Sequence, residues 1–272
     1  MTDSQVVPPG IALGIDVGGT GVKAALVELA TGNLISKRVR MSTPRPSTPE
    51  AVAETIRAVV DSVVAEYGFG PDIPAGCGLP SVVKSGVVMT AANIDKGWIG
   101  VNAEELIGGV LGRPVFVVND ADAAAIAEAR IGAGKGVPGT VIVLTIGTGI
   151  GSGLLVDGHL VPNTEFGHLE FKGKDAETLL SGVARERRKL RWKAWAQEFN
   201  LYLARLELYF APDLFILGGG VSKVMDKYRE WLVSSVPIVP ALYLNTAGII
   251  GAAMAASEPP RPVAVPRYVD NG

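Results

Sequence analysis

Asp16 stands between an apolar run and a glycine-rich turn in "IDVGGTGVKAALVE", residues 15–28, and "LTIGTGIGSGLLVDG", residues 144–158, repeats that layout. Glycines let a backbone approach a ligand closely and adopt positive φ, so successive N–H groups of such a turn can converge on an anion. Two such turns facing one another fit a polyanion. Asp16 would repel bare phosphate, yet beside phosphate it makes chemical sense as a ligand to Mg²⁺, directly or through water. A carboxylate capping its own turn is the structural alternative. Neither turn is a G-x-G-x-x-G opening a helix, and "GAGKG" at 132–136 lacks the spacing and the Ser or Thr of a P-loop, so neither common nucleotide fingerprint applies.

A second constellation is "VFVVNDADAAAIAEA", in which an apolar strand delivers Asn119 and Asp120 and a helix begins at once, with Asp122 also within reach of its N-terminus. Any of the three could simply cap that helix. "PNTEFGHLE", residues 162–170, gathers Glu165, His168 and Glu170 soon after the second glycine turn. A sugar needs such a lining of donors and acceptors fixed on loops, with one carboxylate beside the reacting hydroxyl as general base. Taken alone, His168 reads equally as a satisfied structural histidine. In "ARERRKLRWKAW", Arg185, Arg188 and Lys189 are helical neighbours and Arg191 and Lys193 continue the basic side, while Trp192, Trp195, Phe199, Leu203 and Leu206 repeat at core spacing. A solvated helix face is the usual meaning of such a run; the functional one is an electrostatic track for a chain of phosphates. Lys84 and Lys96 read as ordinary surface lysines.

These groups need elements to position them. The 272 residues are 48% hydrophobic and 19% charged with a net charge of -2, an ordinary globular composition with no global bias toward nucleic acid or membrane. One cysteine and two histidines exclude a disulfide framework and the usual Cys and His zinc site, and a reducing cytoplasm is expected. The first ten residues carry no signal-peptide pattern and no run reaches the ~18 apolar residues of a spanning helix. Period and breakers predict strands at 11–17, 22–29, 34–42, 75–79 and 115–118, and helices at 50–67 (Thr48 as N-cap, Pro49 at its first position), 103–111 and 122–133. Setting Ile15 against Leu144 superposes Gly18 on Gly147 and Leu26 on Leu155, as a duplicated domain would. After that second hairpin the pattern predicts a long helix at 183–210, a strand at 214–217, and helices at 223–233 and 246–257.

"GIDVGGTGVKAALVE", "VVNDADAAAIAEA", "TIGTGIGSGLLVDG", "EFGHLE", "ETLLSG" and "ILGGGVSK" together resemble the ROK sugar kinases of the sugar kinase and actin superfamily, in order and spacing over residues 11–256. "TAANIDKGW", "WKAWAQEFN" and "APDLFILGGGVSK" look like the polyphosphate glucokinases within it, above all the bacterial polyphosphate/ATP-dependent glucomannokinases. The resemblance implies an α/β, two-domain actin-like ATPase (ribonuclease H-like) fold with duplicated mixed β-sheets, flanking helices and an interdomain cleft. It implies a small N-terminal domain at 11–118, a larger C-terminal one at 119–257, and flexible tails at 1–10 and 258–272.

By the same resemblance, Asp16, Gly18, Gly19, Thr20, Gly21 and Lys23 form the first phosphate-donor loop, with Mg²⁺ at Asp16. Thr145, Gly147, Thr148 and Gly149 form the second, and Gly218, Gly219 and Gly220 lie against adenosine when ATP is the donor. Asp120 matches the general base, and Asn119, Glu165, His168 and Glu177 match positions that hold sugar hydroxyls. The implied reaction is transfer to the 6-hydroxyl of glucose, and of mannose, from polyphosphate or ATP, by a cytoplasmic homodimer. Many ROK proteins hold zinc between the histidine of "GH" and three downstream cysteines, which "GHLEFKGKDAETLLSG" lacks, so no zinc is expected. Family repressors carry an N-terminal winged helix, which is not expected here because the first phosphate-loop strand is read from residue 11. The alternatives are a strictly ATP-dependent hexokinase, an amino-sugar kinase and a non-catalytic sugar sensor; a nucleic-acid module is disfavoured by the acidic net charge.

Overall fold

The structure is a computed structural model that describes residues 10–257; the tails expected at 1–10 and 258–272 lie outside the described residues apart from Gly10. The first glycine turn joins β1 (Ile11–Gly18) to β2 (Gly21–Glu28) in an antiparallel hairpin whose register sets Asp16 opposite Lys23 and Gly18 opposite Gly21. β3 (Val39–Met41) extends the sheet beyond β2, while β4 (Ala75–Leu79) and β7 (Phe116–Asn119) add in parallel on the other side, giving the order β3-β2-β1-β4-β7. A small hairpin of β5 (Val83–Lys84) and β6 (Val87–Val88) leaves the sheet between them.

The second half repeats the plan. β8 (Thr140–Ile146) and β9 (Ile150–Val156) form the hairpin, β10 (His159–Val161) extends it, and β13 (Leu214–Gly218) and β14 (Ile238–Pro240) add in parallel in the order β10-β9-β8-β13-β14. A minor hairpin of β11 (Glu170–Phe171) and β12 (Lys174–Asp175) hangs between β10 and β13. Order and strand direction agree between the two sheets, so the duplication expected from the glycine turns extends to the whole topology.

Helices cover both sheets. α1 (Pro49–Tyr67) starts as expected at the Thr48 cap, ends at left-handed Gly68, and buries Val52, Ile56, Val59 and Val63 at helical spacing against the first sheet. α2 (Ala103–Leu111) follows, and α3 (Asp120–Arg130) begins two residues before its expected start, because Asn119 Oδ1 caps it by accepting from the N–H groups of Ala121 at 2.8 Å and Asp122 at 3.1 Å. After the short α4 (Glu177–Leu180), the helix expected at 183–210 is two helices, α5 (Gly182–Arg187) and α6 (Trp192–Phe210). Lys189 at φ 54 breaks them, and Arg185 closes the corner by donating to the Leu190 carbonyl at 2.8 Å. Trp195, Phe199, Leu203 and Leu206 of α6 fill the second core as their spacing predicts.

Two further expectations change. Of 34–42 only the three residues of β3 form a strand, since Ser36 Oγ accepts the Leu26 N–H at 2.9 Å where a ladder carbonyl would. The helix expected at 223–233 is a pair of 3-10 turns, Met225–Lys227 and Arg229–Trp231, after α7 (Gly219–Ser222).

α8 (Ala247–Ala256) is apolar nearly all round, and it returns from the second half to lie on β1 and β4 with α3 on its other flank. A division of the chain at 118 and 119 would assign it to the opposite half. The approach is backbone to backbone: a Cβ on Gly14 or Gly76 would overlap the carbonyl oxygens of Ile249 or Ala252, and one on Gly251 that of Ala123. These oxygens belong to packed main chain and have nowhere to move. Gly76→Ala and Gly251→Ala should therefore each destabilise by roughly 2–4 kcal/mol, lowering the melting temperature by about 5 °C or more. Gly109→Ala, with open space around it on α2, should leave the melting temperature unchanged or raise it slightly. Equal effects at the three sites would refute the interlock.

Candidate active site

The C-terminal ends of β1, β4 and β7 in one sheet and of β8 and β13 in the other open on a shared cleft of about 510 Å³. Open α/β sheets bind ligands at such strand ends. Gly19 and Thr20 of the first turn enter its lining, as do Thr145, Gly147, Thr148 and Gly149 of the second, and Gly219 after β13. Asn119 and Asp120 come from the junction of β7 and α3, and Glu165, His168 and Glu177 from the segment after β10. Asp16, Gly18, Gly21, Lys23, Gly218 and Gly220 lie outside this lining.

Asp120 is the most perturbed acid of the cleft. It sits deep yet keeps part of its surface open, and burial pushes its carboxyl up to about 7; the negative charge of Asp16 adds to the rise, the N–H of Ala121 opposes it, and Glu165 and Asp122 add a little more. Asn119 beside it is committed to structure: besides capping α3 it donates Nδ2 to the Ser81 carbonyl at 3.1 Å, which leaves one amide hydrogen for a ligand.

The opposite wall is a chain of polar groups. Burial raises the Glu165 carboxyl, opposed by His168, whose Nε2 is 3.9 Å from Glu165 Oε2. The imidazole is itself raised, mainly by the hydrogen bond between Nδ1 and Asp175 Oδ2 at 2.8 Å, which fixes the ring and leaves Nε2 turned toward Glu165. Glu177 reaches back to accept the Ile150 N–H at 3.1 Å, and a Cβ on Gly149 would overlap its Oε2. Glycine at 149 is thus what lets a carboxylate from α4 hold the second loop. The first loop is held from the strand side, where Thr43 Oγ1 donates to the Gly18 carbonyl and Arg40 to that of Thr20 at 2.8 Å.

Asp16 meets Lys23 Nζ at 2.6 Å across the hairpin. Glycine at 248 keeps the other side of that carboxylate clear, since a Cβ there would lie 3.1 Å from its Cγ. Among the described residues no three His, Cys, Asp or Glu side chains gather into a metal cage. One partly exposed carboxylate fits Mg²⁺ of the kind that takes most of its ligands from phosphate and water.

Sequence reasoning missed Arg45, Ser81, Thr90 and Asn93, all in the lining. Ser81 Oγ is buried with no hydrogen-bond partner among the described residues, and among them Arg45 is the only arginine or lysine of the lining. Ser81 directly follows Pro80 at the end of β4, so the strand-end rule could have found it; Arg45, in a proline-rich loop, gives no such signal. The five predicted basic residues of the 185–193 run do not act as one face. Arg185 lies over the Trp192 ring at 4.0 Å, and Arg188 pairs with Glu198 through both terminal nitrogens at 2.6 and 3.0 Å. Lys189, Arg191 and Lys193 are exposed, and Arg187, outside the predicted set, joins Arg188 and Lys174 in an open depression that reaches Asp175.

The profile of the ROK family matches residues 12–179. The polyphosphate glucokinase of Mycobacterium tuberculosis strain H37Rv is 51% identical over 243 residues, 89% of either chain. The crystal structure of the inorganic polyphosphate/ATP-glucomannokinase from Arthrobacter sp. strain KM superposes with a TM-score of 0.87 at 49% identity, over 91% of this chain and 98% of that one. A ROK family glucokinase from Streptomyces griseus, in complex with glucose and AMPPNP, gives 0.73 at 28%, over 90% and 98%. The duplicated sheets are those of the actin-like ATPase fold.

A carboxyl raised in the fold favours the protonated native state, so it contributes stability that is present below the unfolded value near 4 and lost as pH rises through about 7. Asp120→Asn should consequently melt higher than the parent at pH 8, by roughly 2–6 °C, with the difference shrinking toward pH 4. A difference independent of pH would show that Asp120 titrates normally.

Proposed function

The chain belongs to the ROK family, and from that premise we propose that it phosphorylates the 6-hydroxyl of glucose, and of mannose, with polyphosphate or ATP as donor and Mg²⁺ as the donor's companion. The observation that carries this reading is Asp120, a carboxyl pushed up to about 7 in a cleft lined by two glycine loops and by the Glu165, His168 and Glu177 wall. A base near the working pH is well matched to taking a proton from an alcohol in the transition state.

In the proposed reaction, Glu165, His168 and the remaining Asn119 amide hydrogen orient the sugar hydroxyls while the loop N–H groups hold the terminal phosphates of the donor. Asp120 takes the 6-hydroxyl proton as that oxygen bonds to the terminal phosphorus; the bond from phosphorus to its bridging oxygen breaks, leaving a polyphosphate one unit shorter, or ADP. Phosphoryl transfer needs chiefly in-line positioning and charge stabilisation, which the loops and Arg45 supply. Mg²⁺, held by Asp16 and donor oxygens, would add neutralisation of the phosphate charge when bound. Gly219, in the lining, supports an adenosine site when ATP is used.

For polyphosphate, the reading moves from the predicted run to its exposed members, Lys189, Arg191 and Lys193, with Arg187 and Lys174 in the depression that Asp175 also lines. A homodimer is the proposed assembly, and the outward face of α6, with Leu201, Leu208 and Tyr209 more than half exposed, is an apolar surface for a second copy. The proposed compartment is the cytoplasm: among the described residues no helix is long and apolar enough to cross a membrane, and Cys77 is a buried free thiol.

Purified protein with glucose and Mg²⁺ should form glucose 6-phosphate from nucleotide-free polyphosphate and from ATP. Product from ATP alone would favour an ATP-dependent hexokinase, and no product from either would leave a sugar sensor. Asp120→Asn should lower turnover by ~10²–10⁴ with the glucose KM within about threefold, and the parent's kcat/KM should rise with pH through about 7. Near-normal turnover would remove Asp120 from the role. Combining Arg191→Gln with Lys193→Gln should raise the KM for polyphosphate by roughly three- to tenfold and leave that for ATP unchanged; equal effects on both donors would argue against a track.

A further inference from the structure

Lys23, Arg38, Arg40 and Lys223 lie outside the lining of the cleft, yet a chain of contacts joins them to it at two points. Arg40 stands opposite Lys23 in the register of β2 and β3, and it donates at 2.8 Å to the carbonyl of Thr20, which lines the cleft. Its guanidinium fills the space a Cβ on Gly21 would need, with Nε 2.6 Å from that position. Glycine at 21 therefore seats an arginine beside the first phosphate loop. Two residues before Arg40, Arg38 donates to the Asn245 carbonyl at 3.4 Å, and the Asn245 side chain accepts from Lys223 Nζ at 2.8 Å. Lys223 directly follows α7, whose first residue, Gly219, lines the cleft again. The arc of cations thus leaves the cleft at Thr20 and returns to it at Gly219.

Charge is the unusual property of this arc. Arg38, Arg40 and Lys223 are exposed, and among the described residues their partners are neutral oxygens of Asn245 and Thr20; only Lys23 meets a carboxylate, that of Asp16. The result is a local excess of positive charge in a chain whose net charge is -2. Like charges held close together repel one another, and a bound anion relieves that repulsion. A track of fixed cations gains affinity with each phosphate that it neutralises and loses it as salt rises.

We propose that Arg38, Arg40 and Lys223 form a distal subsite for the inner units of a polyphosphate, beyond the three phosphates that ATP also carries, and that this subsite sets a preference for longer chains. The proposal rests on the polyphosphate reading of the cleft. It adds a surface at β3 and α7 that shares no residue with the 187–193 cations of α5 and α6.

The test uses the full chain with Mg²⁺ and no glucose, titrated in a calorimeter with tripolyphosphate, with ATP and with a polyphosphate of about ten units. The parent should bind the longer chain at least about fivefold more tightly than tripolyphosphate. Arg38→Gln combined with Lys223→Gln should weaken the longer chain by roughly five- to thirtyfold, lower the slope of log Kd against log salt by about 1–2, and leave tripolyphosphate and ATP within about twofold. Lys84→Gln combined with Lys135→Gln removes the same charge from exposed lysines elsewhere and should leave all three ligands unchanged. Equal binding of the two chain lengths by the parent, no loss in the Arg38 and Lys223 variant, or the same loss for all three ligands would overturn the subsite. So would an equal loss in the lysine control, or a single-stranded DNA of matched charge bound as tightly as polyphosphate. The chain-length comparison on the parent stands even if the Arg38 and Lys223 variant does not fold. A parent that binds in the expected pattern but forms no glucose 6-phosphate would overturn the kinase reading and leave the subsite in place.

Discussion

Helix α8 lies with its main chain against β1, β4 and α3, and the position of Asp120 depends on that contact. α3 has little apolar surface beyond alanine, so it is held by close approach at Gly251 and Ala123 more than by large side chains. Its N-terminus projects from β7, and the Asn119 cap fixes the angle at which it leaves. At the other end of α3 the buried Glu128 accepts N–H groups from Ala133, Leu242 and Tyr243, anchoring the helix to loops of the second half. One short helix is thus clamped at both ends, and the acid at its first position is held where both sheets end.

The electrostatics of the cleft follow from that placement. In and beside the cleft, burial is the first cause that raises the carboxyls of Asp120, Asp122 and Glu165, and neighbouring carboxylates add to it, chiefly Asp16 at Asp120, Glu165 at Asp122 and Glu177 at Glu165, an arrangement that costs stability and is expected where chemistry is done. The strands' C-terminal ends supply the counterweight, because their loops present N–H groups and because Arg45 and His168 enter the same lining. Asp16 contributes its field to Asp120 from behind the first loop while held by Lys23. A donor carrying phosphate and metal would redistribute these charges, which ties acid strength at Asp120 to occupancy of the loops.

Local signals were the most legible part of the sequence. The glycine hairpins, the Thr48 cap and the 195–206 core face were all readable, since each is decided within one or two turns of chain. The loops and the Asp120 junction were readable too, because their residue types are restricted by what must approach them. The break at Lys189 was not, as it depends on Arg185 folding onto Trp192 and Leu190 rather than on proline or glycine. Nor was the short β3, where a side-chain hydroxyl replaces a strand carbonyl. Arg45 and Ser81 enter the cleft from loops with no periodicity, and the return of α8 to the first sheet is a long-range contact that composition along the chain cannot encode.

The central claim is that Asp120 faces the hydroxyl that is phosphorylated. The most direct measurement is a crystal structure of the protein with bound glucose. The account predicts the 6-hydroxyl within about 2.6–3.2 Å of an Asp120 oxygen, with Glu165 and His168 on other hydroxyls of the ring. Glucose bound in the cleft with that hydroxyl turned away from Asp120, or bound elsewhere, would contradict it.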